Sequence, residues 1–187
     1  MILLLPAKFR FNPKHDPKTG QFATGSFNDK QLIQFENGIK NNDYETGAIF
    51  DSKTGKLLVV QKGDRESVKY LDKDVKLFVG NIMTHNHPID ASLSVGDLTT
   101  FRRHEVGEMR VVTSTSRYSI KPPINGWGEV NEFTIRKSFD KHYMQFIKDS
   151  YKKGNEYLKD LPYTDVAHSF ILNVSKDTGI RYTRTKL

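Results

Sequence analysis

The stretch that decides the fold is Val75-Lys76-Leu77-Phe78-Val79-Gly80-Asn81-Ile82-Met83-Thr84-His85-Asn86-His87-Pro88, followed after a short turn by Ser94-Val95-Gly96-Asp97-Leu98. Its apolar first part reads as a buried strand over 75–83 that ends at the histidines. Residues two apart in a strand project from one face, so His85 and His87 can aim both imidazoles at one point. Pro88 has no N–H for the ladder, and the strand should stop there. Ser94-x-x-Asp97 is a helix-start signature, with Ser94 as cap and Asp97 in the first turn. A strand end with two histidines thus meets a helix start with a carboxylate. Two imidazoles, one carboxylate and one position left to water make the ligand set of a hydrolytic zinc site.

His-x-His followed by Ser-x-x-Asp resembles the JAMM (JAB/MPN-type) zinc metalloproteases, and His85-Asn86-His87-Pro88 is similar to the RadC branch of that fold. The resemblance covers about residues 28–121. It implies that His85, His87 and Asp97 hold Zn2+. It also calls for an upstream glutamate at a strand start to activate water. Glu45, forty residues before His85 in Asp43-Tyr44-Glu45-Thr46-Gly47-Ala48-Ile49-Phe50, fits that place, with Glu36 as the fallback. By the same resemblance Ser94 donates a hydrogen bond to the developing oxyanion. The six residues Pro88 to Leu93 make a loop one residue shorter than the family's usual one. The contiguous letters HNH carry no nuclease signal, because HNH nucleases spread those residues over a ββα unit.

The 187 residues suffice for one good core, or one domain and an appendage. With 36% hydrophobic residues and a mean hydropathy of −0.59, part of the chain is expected to be tail or exposed helix. There are no cysteines, which excludes thiol catalysis, disulfides and thiolate metal sites, leaving His and carboxylate as ligands. A net charge of +7 suits an acidic partner without specifying one. Ile2-Leu3-Leu4-Leu5 is too short an apolar run, and lacks a basic flank, for a signal peptide. No run approaches membrane-spanning length, so the expected location is a bacterial host cytoplasm or a virion, with no membrane partner.

Residues 1–27 read as a flexible linker, rich in Pro and Gly. Within it, Phe11-Asn12-Pro13-Lys14-His15-Asp16-Pro17-Lys18-Thr19-Gly20-Gln21-Phe22 resembles segments of phage head-morphogenesis proteins. Residues 28–125 read as the metal-binding domain. A helix runs to about 40, followed by a hairpin of 45–50 with 57–61 and a strand or loop at 67–71. After the motif come a helix over 95–106 and strands at 109–115 and 117–121. This order predicts an α/β fold, a mixed sheet sandwiched by helices, as in JAB/MPN domains. Residues 126–187 read as a C-terminal helical extension, with helices over 131–161 and 164–177 and a short basic strand at 180–186. His15, His142 and His168 are expected to be ordinary loop or packing histidines. His104, two turns after Asp97, reads as a surface residue near the rim of the site.

Two functions from different classes follow. The first is a zinc peptidase or isopeptidase that hydrolyses an amide bond of a protein or peptide. There Glu45 serves as the general base, and the substrate is a phage structural protein or a ubiquitin-like host protein. The second is a non-catalytic phage structural module with a JAB-like fold, contacting DNA or capsid subunits through its basic surface.

Overall fold

A computed structural model describes residues 29–153 and 163–187. The expected linker over 1–27, with its His15, lies outside the described residues. Strands β1 (Thr46–Phe50) and β2 (Leu57–Lys62) form an antiparallel hairpin with Thr46 opposite Lys62. The Asp51 carboxylate builds its turn, accepting from the Lys53 and Thr54 N–H groups, while Gly55 takes the left-handed φ of 72°. On its other edge β1 pairs antiparallel with β3 (Ile82–Asn86), Gly47 opposite His85. Strand β3 then runs parallel to β4 (Glu108–Val112), and β4, β5 (Ser116–Lys121) and β6 (Arg181–Lys186) continue antiparallel. The result is a six-stranded mixed sheet in the order β2-β1-β3-β4-β5-β6.

Strand alternation divides the side chains between two faces. On one lies α1 (Lys30–Ile39), whose Leu32 and Phe35 pack on Ala48, Phe50 and Ile82. This face also buries charge. Glu36, fully buried, is bound by Arg117, accepts from the Thr84 hydroxyl at 3.0 Å and lies 3.7 Å from Arg110. The other face carries the larger core. There α3 (Val95–Arg103), α4 (Glu132–Lys153) and α5 (Tyr163–Thr178) bury Leu98, Phe101, Ile135, Ile171 and Val174 against Met83, Met109, Val111, Tyr118 and Ile120. Each such side chain contributes about 1.5–3 kcal/mol by leaving water. The architecture is therefore α/β, a mixed sheet with helices on both faces.

Several expectations need correction. The apolar run 75–81 is not a strand. Asp72–Val75 forms a single helical turn, α2, and Val79 makes only an isolated bridge to Val106. Gly80, at φ 69°, turns the chain before Ile82, where β3 begins. Residues 67–71, read as strand or loop, form a loop. Helix α3 ends at Arg103, because Glu105 adopts a left-handed φ of 48° and Val106 N–H bonds back to the Phe101 carbonyl. The stretch read as a C-terminal extension supplies an edge strand to the same sheet, and Ile135, Ile171, Val174 and Ile180 to the same core.

Candidate metal centre

Three successive side chains of β3 are divided by the pleat. Thr84 and Asn86 face α1, while His85 faces the larger core, as does His87 just past the strand end. His87 extends the ladder by one bond, its N–H donating to the Val112 carbonyl at 3.1 Å. Asn86 acts as a brace. Its Oδ1 accepts from the Thr46 N–H at 2.7 Å, and its Nδ2 donates to the carbonyls of Tyr44 (3.1 Å) and Asn42 (3.3 Å). These bonds pin the chain on both sides of Glu45 against β3. Asp97 arrives from the opposite direction, at the start of α3. There Ser94 and Asp97 form a reciprocal capping box.

The donor atoms converge. His85 Nε2 and His87 Nε2 are 3.0 Å apart; Asp97 Oδ1 is 3.3 Å from the first and Oδ2 is 3.7 Å from the second. Tetrahedral Zn–N and Zn–O bonds of about 2.0–2.1 Å place neighbouring ligand atoms about 3.3 Å apart. His85 Nε2 has neighbours at 3.0 and 3.3 Å, close to that value, whereas the 3.7 Å approach to His87 is made by the other Asp97 oxygen. Glu45 Oε1 is 3.8 Å from His87 Nε2, and among the described residues Glu45, His85 and His87 are the set whose single ligand atoms group closely enough to hold a cation. The Asp97 carboxylate also reaches both imidazoles, one oxygen to each, so Asp97 and Glu45 both border the histidine pair. All four are buried or nearly so; His85 and His87 are each 9% exposed.

The surroundings fix the orientation of these groups. His87 Nδ1 faces the carbonyls of Ala91 and Ser92, both at 3.1 Å. Carbonyls only accept, so Nδ1 carries the proton and Nε2 turns a lone pair into the site. Asp97 Oδ2 accepts from the Ser94 N–H (2.6 Å) and hydroxyl (2.8 Å), which leaves Oδ1 for a single bond. The short loop is tied down as well: Asp90, at φ 55°, accepts from the Ser114 N–H and hydroxyl. Six residues therefore suffice to bring Asp97 to the histidines.

Burial works against the charged ring of His85, but Asp97 and then Glu45 outweigh it and its pKa stands above the ordinary value. Burial and the neighbouring His85 push His87 down. Asp97 is held well below the usual carboxylate range, its burial overcome by His85, His87 and the Ser94 N–H. Burial drives Glu45 up to about 7, against the pull of His85. Imidazoles and carboxylates buried this close together are costly without a cation, and a divalent ion would relieve that cost. Two imidazole nitrogens and a carboxylate, with no sulfur, form a donor set that fits zinc.

The other sequence candidates fall elsewhere. Glu36 sits on the opposite face in its arginine cage. Ser94 is exposed at the rim, with its hydroxyl engaged by Asp97. His104 caps the end of α3, edge-on to Phe78 at 5.3 Å. His142 bonds to Asp177, and His168 Nδ1 lies 2.7 Å from Tyr182 Oη. The Ser92 hydroxyl also meets Tyr182, so β6 touches the loop that orients His87. Sequence reasoning missed Asn86 and Tyr182. The first had a signal, a polar residue on the inward face of a buried strand; the second had none.

No protein-family model matches the chain, and no curated protein or solved structure matches it. Among the described residues no helix is long and apolar enough to cross a membrane.

Proposed function

We propose that this chain is a JAMM-like zinc-dependent peptidase or isopeptidase that hydrolyses an amide bond of a protein or peptide. One observation carries the reading: His85, His87 and Asp97 converge, with contacts of 3.0, 3.3 and 3.7 Å, while Glu45, a carboxylate raised to about 7, stands beside them. Kinship with the JAB/MPN fold is supported by the order of elements. A helix and hairpin precede a His-x-His strand, and a Ser-capped helix joins it to a parallel neighbour.

In this reading His85, His87 and Asp97 hold the ion, and bound zinc supplies Lewis acidity toward a carbonyl oxygen and toward water. Glu45 takes a proton from the attacking water and returns it to the leaving nitrogen as the C–N bond breaks. A pKa near neutrality suits both transfers, and a bound cation shifts it back toward the base form. Asn86 keeps Glu45 in register with the histidines. Ser94 holds Asp97, and it reaches an oxyanion only by releasing that contact. The segment 11–22 supports a phage or mobile-element setting, with phage structural proteins or ubiquitin-like host proteins as substrates. The net charge of +7 and the basic edge strand β6 favour a second reading, a JAB-like structural module that binds DNA or capsid subunits without catalysis.

Metal content of the purified protein separates the two. Near-stoichiometric zinc that disappears in His85→Ala/His87→Ala supports the hydrolase, and a peptidase screen against Glu45→Gln then follows. Wild-type protein that takes up no zinc when it is supplied refutes it.

A further inference from the structure

The loop after β2 lays an aromatic hydroxyl on the site. Asp64 makes its turn, accepting from the N–H groups of Glu66 (2.8 Å) and Ser67 (2.9 Å). The same residue's carbonyl accepts from the Glu45 N–H at 2.6 Å, and the Gly63 N–H donates to the Glu45 carbonyl at 2.8 Å. The loop is thus clipped to the backbone of the proposed base. It folds back so that Tyr70 covers Gly47, where an added Cβ would run into the Tyr70 Oη. Gly47 lies directly opposite His85. Opposed residues in an antiparallel pair have Cβ positions about 4.5–5.5 Å apart on one face, so the hydroxyl hangs over the His85 side of the cluster. The ring is held edge-on to buried Phe78, with centroids 5.1 Å apart.

Tyr70 is near enough to Glu45 to feel its charge, and burial followed by that charge raises the phenol pKa, so the proton stays on oxygen at neutral pH. Among the described residues the hydroxyl makes no hydrogen bond. Amide hydrolysis needs a donor where negative charge develops, and the hydroxyl of Ser94 is already donating to Asp97.

We propose that Tyr70 is a further catalytic residue, whose Oη–H donates a hydrogen bond to the carbonyl oxygen of the scissile amide as that oxygen becomes anionic. The assignment rests on the hydrolytic reading of the site. It also explains Gly47: any larger residue there would displace the donor.

The test uses zinc-loaded full-length protein and acetohydroxamate, a small ligand that offers a carbonyl-type oxygen to the ion. Zinc affinity is measured by chelator competition and acetohydroxamate affinity by calorimetry, for wild type, Tyr70→Phe and Gly47→Ala. Tyr70→Phe keeps the ring on Phe78 and removes only the donor. Zinc affinity should stay within about twofold while acetohydroxamate binding weakens about tenfold or more, the loss of one hydrogen bond to a charged oxygen. Gly47→Ala should weaken it similarly. On any amide substrate Tyr70→Phe should lower kcat by about 10²-fold with KM little changed. Equal acetohydroxamate affinity in wild type and Tyr70→Phe overturns the assignment of Tyr70 alone, as does a zinc-loaded wild type that refuses the ligand. A wild type that takes up no zinc overturns the hydrolytic reading, and the role of Tyr70 with it.

Discussion

Ser94→Ala separates the capping of α3 from the holding of Asp97. The Ser94 Oγ accepts from the Asp97 N–H at 3.1 Å and donates to Asp97 Oδ2 at 2.8 Å. Losing the accepted bond uncaps the helix and costs about 1 kcal/mol of folding stability. Losing the donated bond leaves Oδ2 with only the Ser94 N–H, so the carboxylate rotates more freely and Oδ1 is presented less often. Groups that bond to a metal ligand are typically worth about 10–100-fold in metal affinity. Ser94 is exposed, which places the expected loss near the lower end, about tenfold, equivalent to about 1.4 kcal/mol. Denaturant titration of the metal-free protein reads the first effect and chelator competition for zinc reads the second; Ser94→Thr should restore most of both. If Ser94→Ala loses about 1 kcal/mol of stability yet binds zinc as tightly as wild type, Asp97 is not a ligand and the donor set is wrong.

Glu36→Ala should destabilise the fold by about 3–5 kcal/mol in urea titration, because Arg117 and Arg110 lose their buried partner. Zinc uptake should persist, since Thr84, which touches Glu36, points away from His85. Asp177 on α5 is held at about 2 by Lys141, Ser138 and His142 on α4. Its folded pKa lies below the unfolded value of about 3.9, so its contribution is present above about pH 4 and fades as pH falls toward 2. Solvent screening of this partly exposed group limits the contribution to ~0.5 kcal/mol, and Asp177→Asn should flatten that part of the stability–pH curve. Tyr182→Phe removes the hydroxyl shared by His168 and Ser92. Zinc affinity should drop a few-fold, less than the ~10-fold typical of a group bonded directly to a ligand. An unchanged His87 imidazole 15N spectrum in that variant would show that the C-terminal strand does not steady the loop.

Much of the centre was legible because its grammar is local. The i, i+2 histidines, the proline stop and the Ser94–Asp97 box each span a few residues and act through alternation or capping. Glu45 was legible as the head of an apolar strand and was preferred to Glu36 on that ground; the faces of the sheet supply the physical reason. Thr84 and His85 are neighbours in sequence and point to opposite sides of the sheet, so the two glutamates serve different layers. The run 75–81 misled because apolar composition does not distinguish a strand from a buried turn; Asp72, Asp74 and Gly80 shape it instead. Tyr70 and Tyr182 carried no pattern at all. Their roles depend on where a loop and a last strand come to rest.

The sequence by itself determined the donor chemistry: histidines and carboxylates without sulfur, paired on one strand face and capped into one helix start. These follow from backbone geometry repeating every two to four residues. Only the tertiary structure decided that Glu36 is bound by arginine on the opposite face, which hydroxyls are already engaged, and that residues 181–186 pair with 116–121 to complete the sheet. Such decisions rest on hydrogen bonds and burial between segments tens of residues apart, whose partners are selected by the packing of whole faces rather than by any local pattern.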